Sequence, residues 1–294
     1  MARRPLLTGF FVFLVLAVAF FLGTYLTALL IERPPSESNQ IALVRIEGVI
    51  LDADEPVDQL RTFSENEAIR AILIRIDSPG GAVVPSQEIY DEVRKIRAEG
   101  RQKVVVSMGS VAASGGYYIA SASDRIIANP GTLTGSIGVI LEMPNFEGLM
   151  KKIGVESTVI KSGPHKDLIS PFRKLGDQER TILQRVMDDV HDQFIQAVAE
   201  GRGLEKNTVA AIADGQVFTG RQAKDRGLVD EIGTFEDAIK LTGELAGIVG
   251  RPTVVEPKRH FSLRDWITAT FRGRIGVLAD PIPAIRLNYL WTWG

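Results

Sequence analysis

The chain has 294 residues, 34 Lys and Arg against 36 Asp and Glu, a net charge of −2, three His and no Cys. Balanced charge leaves no basic stripe to displace counterions from a phosphate backbone, so no nucleic-acid partner is expected. The absence of cysteine excludes a disulfide scaffold and a thiol nucleophile, and His165, His191 and His260 are too scattered for a zinc pair, so metal catalysis is not expected.

No charged residue interrupts 6–31. As a helix this stretch would run roughly 39 Å against a hydrocarbon core of about 30 Å, enough to span with tilt. Arg3 and Arg4 precede it, which places the N-terminus in the cytoplasm and the body outside. A cleaved signal peptide is the competing reading, but its apolar core is usually about 7–15 residues. The chain therefore divides into a cytoplasmic N-terminus and transmembrane anchor (1–33), a polar linker (34–40), a catalytic body (41–250) and a tail (251–294).

Within the body, 41–50 and 71–77 are β-branched runs, and the second delivers the loop Ser78-Pro79-Gly80-Gly81. A helix is predicted over 85–99, stopped by Gly100, then a strand over 103–108, a small-residue helix over 113–123 and a strand over 125–129. Strands alternating with helices at short intervals imply an α/β fold with parallel pairing. Further on, 143–154 reads as a helix, 155–160 as a strand, and 177–203, 205–213, 219–226 and 234–247 as helices. The tail carries Trp291 and Trp293 near its end. Its last residues are open to three readings: a membrane-interface contact, a docking peptide for a neighbouring subunit or for a groove that trims it, or core packing.

Ser114 stands between an apolar strand and a helix of small residues, where a nucleophilic serine is commonly mounted. A serine hydroxyl needs a base to take its proton as it attacks. His191 falls in the long predicted helix and His260 in the tail, which leaves His165 and its neighbour Lys166, both in a loop after a predicted strand. A lysine serves as base only when neutral, so its surroundings must push it well below the ordinary value of about 10.4. Acyl transfer also needs donors for the developing oxyanion. The amides of Gly115, after the serine, and Gly81, in the Gly-Gly loop, are candidates; a tight turn and a close helix–strand contact explain the same glycines without catalysis.

DSPGG (77–81), MGSVAASGGYYIASASDRIIANPGTLTGSIGV (108–139), KSGPHKD (161–167) and SPFR (170–173) together resemble the signal peptide peptidase A family in its short single-domain form. The resemblance covers about residues 41–247. It implies Ser114 as nucleophile, Lys166 as general base, Gly81 and Gly115 as oxyanion donors and Ser136 as the hydroxyl that orients the lysine. It further implies a crotonase/ClpP-like fold of repeated ββα units, a homo-oligomeric ring at the membrane and an apolar groove taking small or hydrophobic side chains. The activity implied is that of a membrane-anchored serine endopeptidase on remnant signal peptides and misfolded exported chains. Two rivals share the fold: a scaffold or regulator whose chemistry is dispensable, and an acyl-CoA-handling crotonase relative. An export anchor speaks against the second, since CoA is cytoplasmic.

Overall fold

Two apolar runs rich in Ile, Leu and Val form the middle of a sheet. The computed structural model describes residues 14–25, 39–257 and 288–290. Strand β1 (Gln40–Glu47) pairs in parallel with β2 (Ile69–Ser78), and β2 with β4 (Lys103–Ala113). The sheet runs β7-β6-β4-β2-β1-β9, with β6 at Leu133–Gly135, β7 at Val217–Thr219 and β9 at Thr253–Val255. Strands β5 (Arg125–Ala128) and β8 (Glu231–Ile232) branch from β4. Every pairing in this sheet is parallel except β6 with β7. A second, two-stranded sheet joins β3 (Gly80–Ala82) to β10 (Asn288–Leu290) in antiparallel fashion.

Because side chains alternate along a strand, the central strands read as unbroken apolar runs only if both faces are covered. They are. Ala42, Val44, Ile72, Ile74, Val104 and Val106 face a large core. It is closed by α1 (Asp54–Glu65), α2 (Val83–Glu99), α3 (Gly115–Ser121) and α5 (Asp177–Arg202), which contribute Leu60, Ile89, Tyr117 and Phe194. Ile41, Leu43, Leu73 and Val105 face the other side against Ile239 of α8 (Phe235–Leu245). The short helices α4 (Glu147–Ile153), α6 (Lys206–Ala210) and α7 (Gly220–Asp225) complete the order.

The mixed α/β, parallel-rich sheet expected from the sequence is present. Several elements differ. Helix α1 was not expected, since DEPVDQLRTFSE is largely polar and buries only Val57, Leu60 and Phe63. Residues 155–160, expected as a strand, form none and are exposed, so their β-branched side chains gain none of the packing that favours a strand. The Gly80-Gly81 segment is not a simple loop but the start of β3. In the tail, β9 pairs with β1 and β10 with β3. Residues 14–25 are helical, and among the described residues no helix is long and apolar enough to cross a membrane. The rest of the expected anchor lies outside the described residues, as do Trp291 and Trp293.

Candidate active site

Strand β4 bends where it feeds the site. Ile76 pairs with Met108 but Ser78 with Ala112, so two extra residues of β4 bulge out around Gly109 and Ser110. Asp77 accommodates the bulge: its carboxylate accepts from the Val111 amide at 3.0 Å, and a Cβ on Gly109 would stand 2.6 Å from its Cγ. Before the bend β4 pairs with β5, and after it with β6. The redirected end, Val111–Ala113, carries the chain into Ser114.

Ser114 is the N-cap of α3, almost fully buried, with φ 53° and ψ −117°. This is the region that a type II′ turn reserves for glycine, so an L-residue there stores strain of about 1–3 kcal/mol. Two hydrogen bonds hold it: the Ser114 amide donates to the Gly135 carbonyl and its carbonyl accepts from the Tyr118 amide, both at 2.8 Å. Ser136 follows Gly135, also buried and with φ 50°, its amide donating to the Gln216 carbonyl at 2.8 Å.

Strand β3 lies across from this turn. Its Gly80 carbonyl accepts from the Ile50 amide at 2.9 Å, and its Ala82 amide donates to the Ile50 carbonyl at 2.8 Å. Alternation along a strand then turns the N–H of Gly81 to the opposite edge, away from Ile50. No side chain fits between these segments. A Cβ on Gly81 would run into the Ile50 carbonyl, and one on Gly115 would stand 2.5 Å from Ser86 Oγ and 3.3 Å from the Gly81 nitrogen. Two glycine amides, one on each side of the cleft, are thus held beside the serine.

Lys166 is placed differently. It is exposed on a loop, with no hydrogen bond to Ser114 or Ser136. That loop is anchored from below: Arg173 bonds Asp167 at 2.9 Å and Glu179 at 2.6 Å, while Lys161 reaches Asp167 at 2.5 Å. The Arg173 guanidinium, assisted by Lys161, holds the Asp167 carboxyl well below the usual carboxylate range; Arg173 and the Gly176 amide bring Glu179 to about 2. Asp167 is therefore engaged by Arg173 and Lys161. His165 has a buried Nδ1 with no partner among the described residues. Together Ser114, Gly115, Gly81 and Ser136 are brought to one cleft, and Lys166 is exposed on its loop.

The sequence pattern of peptidase family S49 matches residues 96–249, more than half of the chain, and that of Clp protease matches 46–132. A putative protease of Synechocystis is 45% identical over 229 residues, covering 76% of this chain and 82% of its own length. The chain belongs to peptidase family S49. Two other relatives are a putative signal peptide peptidase SppA of Enterococcus faecium and a chloroplastic serine protease SPPA of Arabidopsis thaliana. The first is 37% identical over 69% of this chain and 63% of its own; the second is 33% identical over 81% and 38%.

In this S49 peptidase the cleft has features that sequence reasoning missed. Strand β10 lies between β3 and Ile140: Tyr289 is opposite Gly81, and Asn288 exchanges hydrogen bonds with Ile140 at 3.1 and 3.3 Å. A cavity of about 380 Å³ opens beside Ser136, lined by Ile140, Asp188, His191, Asp214 and Leu290. His191 turns a buried Nε2 that has no hydrogen-bond partner among the described residues. The only sequence signal for β10 was the aromatic cluster at the chain's end, and for His191 there was none.

Proposed function

We propose that the chain is a membrane-tethered serine endopeptidase that uses Ser114 as nucleophile and Lys166 as general base. The observation that carries this reading is Ser114 held in a glycine-type conformation beside the amides of Gly81 and Gly115. A strained serine at a strand-to-helix turn, with donors where an oxyanion forms, is the arrangement acyl transfer needs.

In the reaction, neutral Lys166 takes the Ser114 proton as Oγ attacks the scissile carbonyl. The N–H groups of Gly81 and Gly115 stabilise the oxyanion, and the Lys166 ammonium then protonates the leaving amine. Water, deprotonated by Lys166, hydrolyses the acyl-serine. The Ser136 hydroxyl orients the amine, adding no negative charge that would hold the proton on it. No cofactor takes part.

To act as base, Lys166 must lie beside Ser114 and be shielded from water, whereas it is exposed in the single chain. The arm over 141–174 supports assembly into a homo-oligomeric ring as the means: helix α4 buries none of its residues, and Ile153, Val159 and Ile160 are exposed. A neighbouring copy covering these side chains would order the arm and desolvate the lysine. Residues 6–31 anchor the chain in the cell membrane, with the catalytic body on the periplasmic or extracellular side. Substrates are signal-peptide remnants and unfolded exported chains, which enter as extended strands.

Reaction with a fluorophosphonate, followed by peptide mapping, tests the reading. The adduct is expected on Ser114, and its formation should be slowed at least tenfold in Lys166→Ala; undiminished labelling of Ser114→Ala would reject it.

A further inference from the structure

Strand β3 is only three residues long, and its polar groups can be followed one by one. The Gly80 carbonyl and the Ala82 amide are taken by the backbone of Ile50, at 2.9 and 2.8 Å. Two side-chain hydroxyls engage the strand at its ends. The Gly80 amide donates to Ser78 Oγ at 3.0 Å, and the Ser86 hydroxyl donates to the Ala82 carbonyl at 2.9 Å. Alternation along the strand then turns the N–H and C=O of Gly81, between them, toward the cleft.

Both serines are fully buried, Ser78 at the end of β2 and Ser86 in the first turn of α2. A buried hydroxyl costs free energy unless it is paired, and within a helix serine is a poorer choice than alanine. Each serine also abuts the glycine pair that opens α3. A Cβ on Gly115 would stand 2.5 Å from Ser86 Oγ, and one on Gly116 would stand 3.1 Å from the Ser78 carbonyl oxygen and 3.6 Å from its Cβ. Ser86 Oγ thus bears on both walls of the cleft, bonding β3 just after Gly81 and packing against Gly115. Ser78 does so from the other end, bonding the amide just before Gly81 and packing against Gly116.

We infer that Ser78 and Ser86 are positioning residues for the oxyanion donors: acting through Gly81 and Gly115, they fix the separation and aim of the two amides. The inference rests on the proposed peptidase activity. An oxyanion develops only as Ser114 Oγ adds to the scissile carbonyl, so slack in β3 weakens transition-state stabilisation and leaves ground-state binding nearly intact. Removing one hydroxyl frees one end of β3 while Ile50 still holds the strand, so the loss is partial.

Steady-state hydrolysis of a fluorogenic small-residue peptide by Ser78→Ala, Ser86→Ala, Gly115→Ala and the pair Ser86→Ala with Gly115→Ala tests this. Each serine variant is expected to lose about tenfold in kcat, with KM within about twofold of wild type. The pair shows whether Ser86 acts through Gly115. Removing Oγ makes room for the methyl, so the pair should be at least about tenfold more active than the product of the two single losses. Unchanged kcat in the serine variants, or losses that simply multiply in the pair, would overturn the inference and leave the peptidase reading standing. A rise in KM at unchanged kcat would overturn it by making the serines part of substrate binding. Circular dichroism checks the fold of each variant, and if Ser78→Ala does not fold, the cycle between Ser86 and Gly115 decides. A wild type that hydrolyses no peptide would overturn both.

Discussion

Ser114 and Ser136 leave adjacent parallel strands at the same level. Ala113 pairs with Gly135, the Gly135 carbonyl accepts from the Ser114 amide at 2.8 Å, and the two serines carry φ angles of 53° and 50°. Two neighbouring strands ending in two serines of positive φ place both residues at the same end of the sheet.

That strain has a cost that glycine would not bear. Ser114→Gly is expected to abolish peptidase activity while raising stability by about 1 kcal/mol, because relief of the strained φ outweighs the added entropy of the unfolded chain. Ser114→Ala should be equally inactive without the gain. Thermal unfolding of the two variants side by side reads the difference; equal midpoints would show that the turn is unstrained.

At the cleft's glycines the demand is for space rather than for φ. Gly115→Ala puts a methyl 2.5 Å from Ser86 Oγ, which is itself tied to the Ala82 carbonyl at 2.9 Å. Displacing β3 from α3 separates the two amides, so kcat should fall on the order of a hundredfold, with a smaller change in KM. A fall in KM-limited binding with unchanged kcat would instead make Gly115 a packing residue.

The anchor beneath Lys166 titrates in acid. Arg173 depresses both Asp167 and Glu179, so their contribution is present above the ordinary carboxylate values of about 4 and is lost as pH falls from there through about 2. Hydrogen exchange over 161–176 should therefore be slow at pH 5 and speed up markedly by pH 3 beyond the intrinsic trend. Arg173→Met should show the fast pattern already at pH 5. Exchange that is independent of Arg173 would remove it as the anchor.

His191 lines the cavity beside Ser136, and its buried Nε2 has no hydrogen-bond partner among the described residues. Peptides with Asn or Ser immediately after the scissile bond should be cleaved faster than those with Leu, by roughly fivefold, because a buried polar atom gains its missing partner. The preference should vanish in His191→Leu; its survival would assign it to another group.

The site was more legible than its surroundings. The apolar strand, the strained turn at Ser114 and the glycine pairs lie in contiguous motifs whose local chemistry is strong, so the segments that meet at the cleft could be picked out from the chain, while the catalytic roles proposed for Ser114, Gly115 and Gly81 await the experiments above. The parallel sheet could be read as well, since a run such as AILIRID is apolar on both faces. Helix α1 escaped notice because only three of its residues are buried, and β6 to β8 because strands of two or three residues have no period to detect. Strand β10 depends on an edge more than 200 residues away, which no local pattern encodes.

Hydrolysis of a fluorogenic small-residue peptide by wild type, Ser114→Ala and Lys166→Ala, purified in the same oligomeric state, tests the proposed dyad most directly. Both variants are expected to fall on the order of a thousandfold or more in kcat while keeping the wild-type fold. Full activity in Ser114→Ala would contradict the proposal outright, and full activity in Lys166→Ala would require a different base.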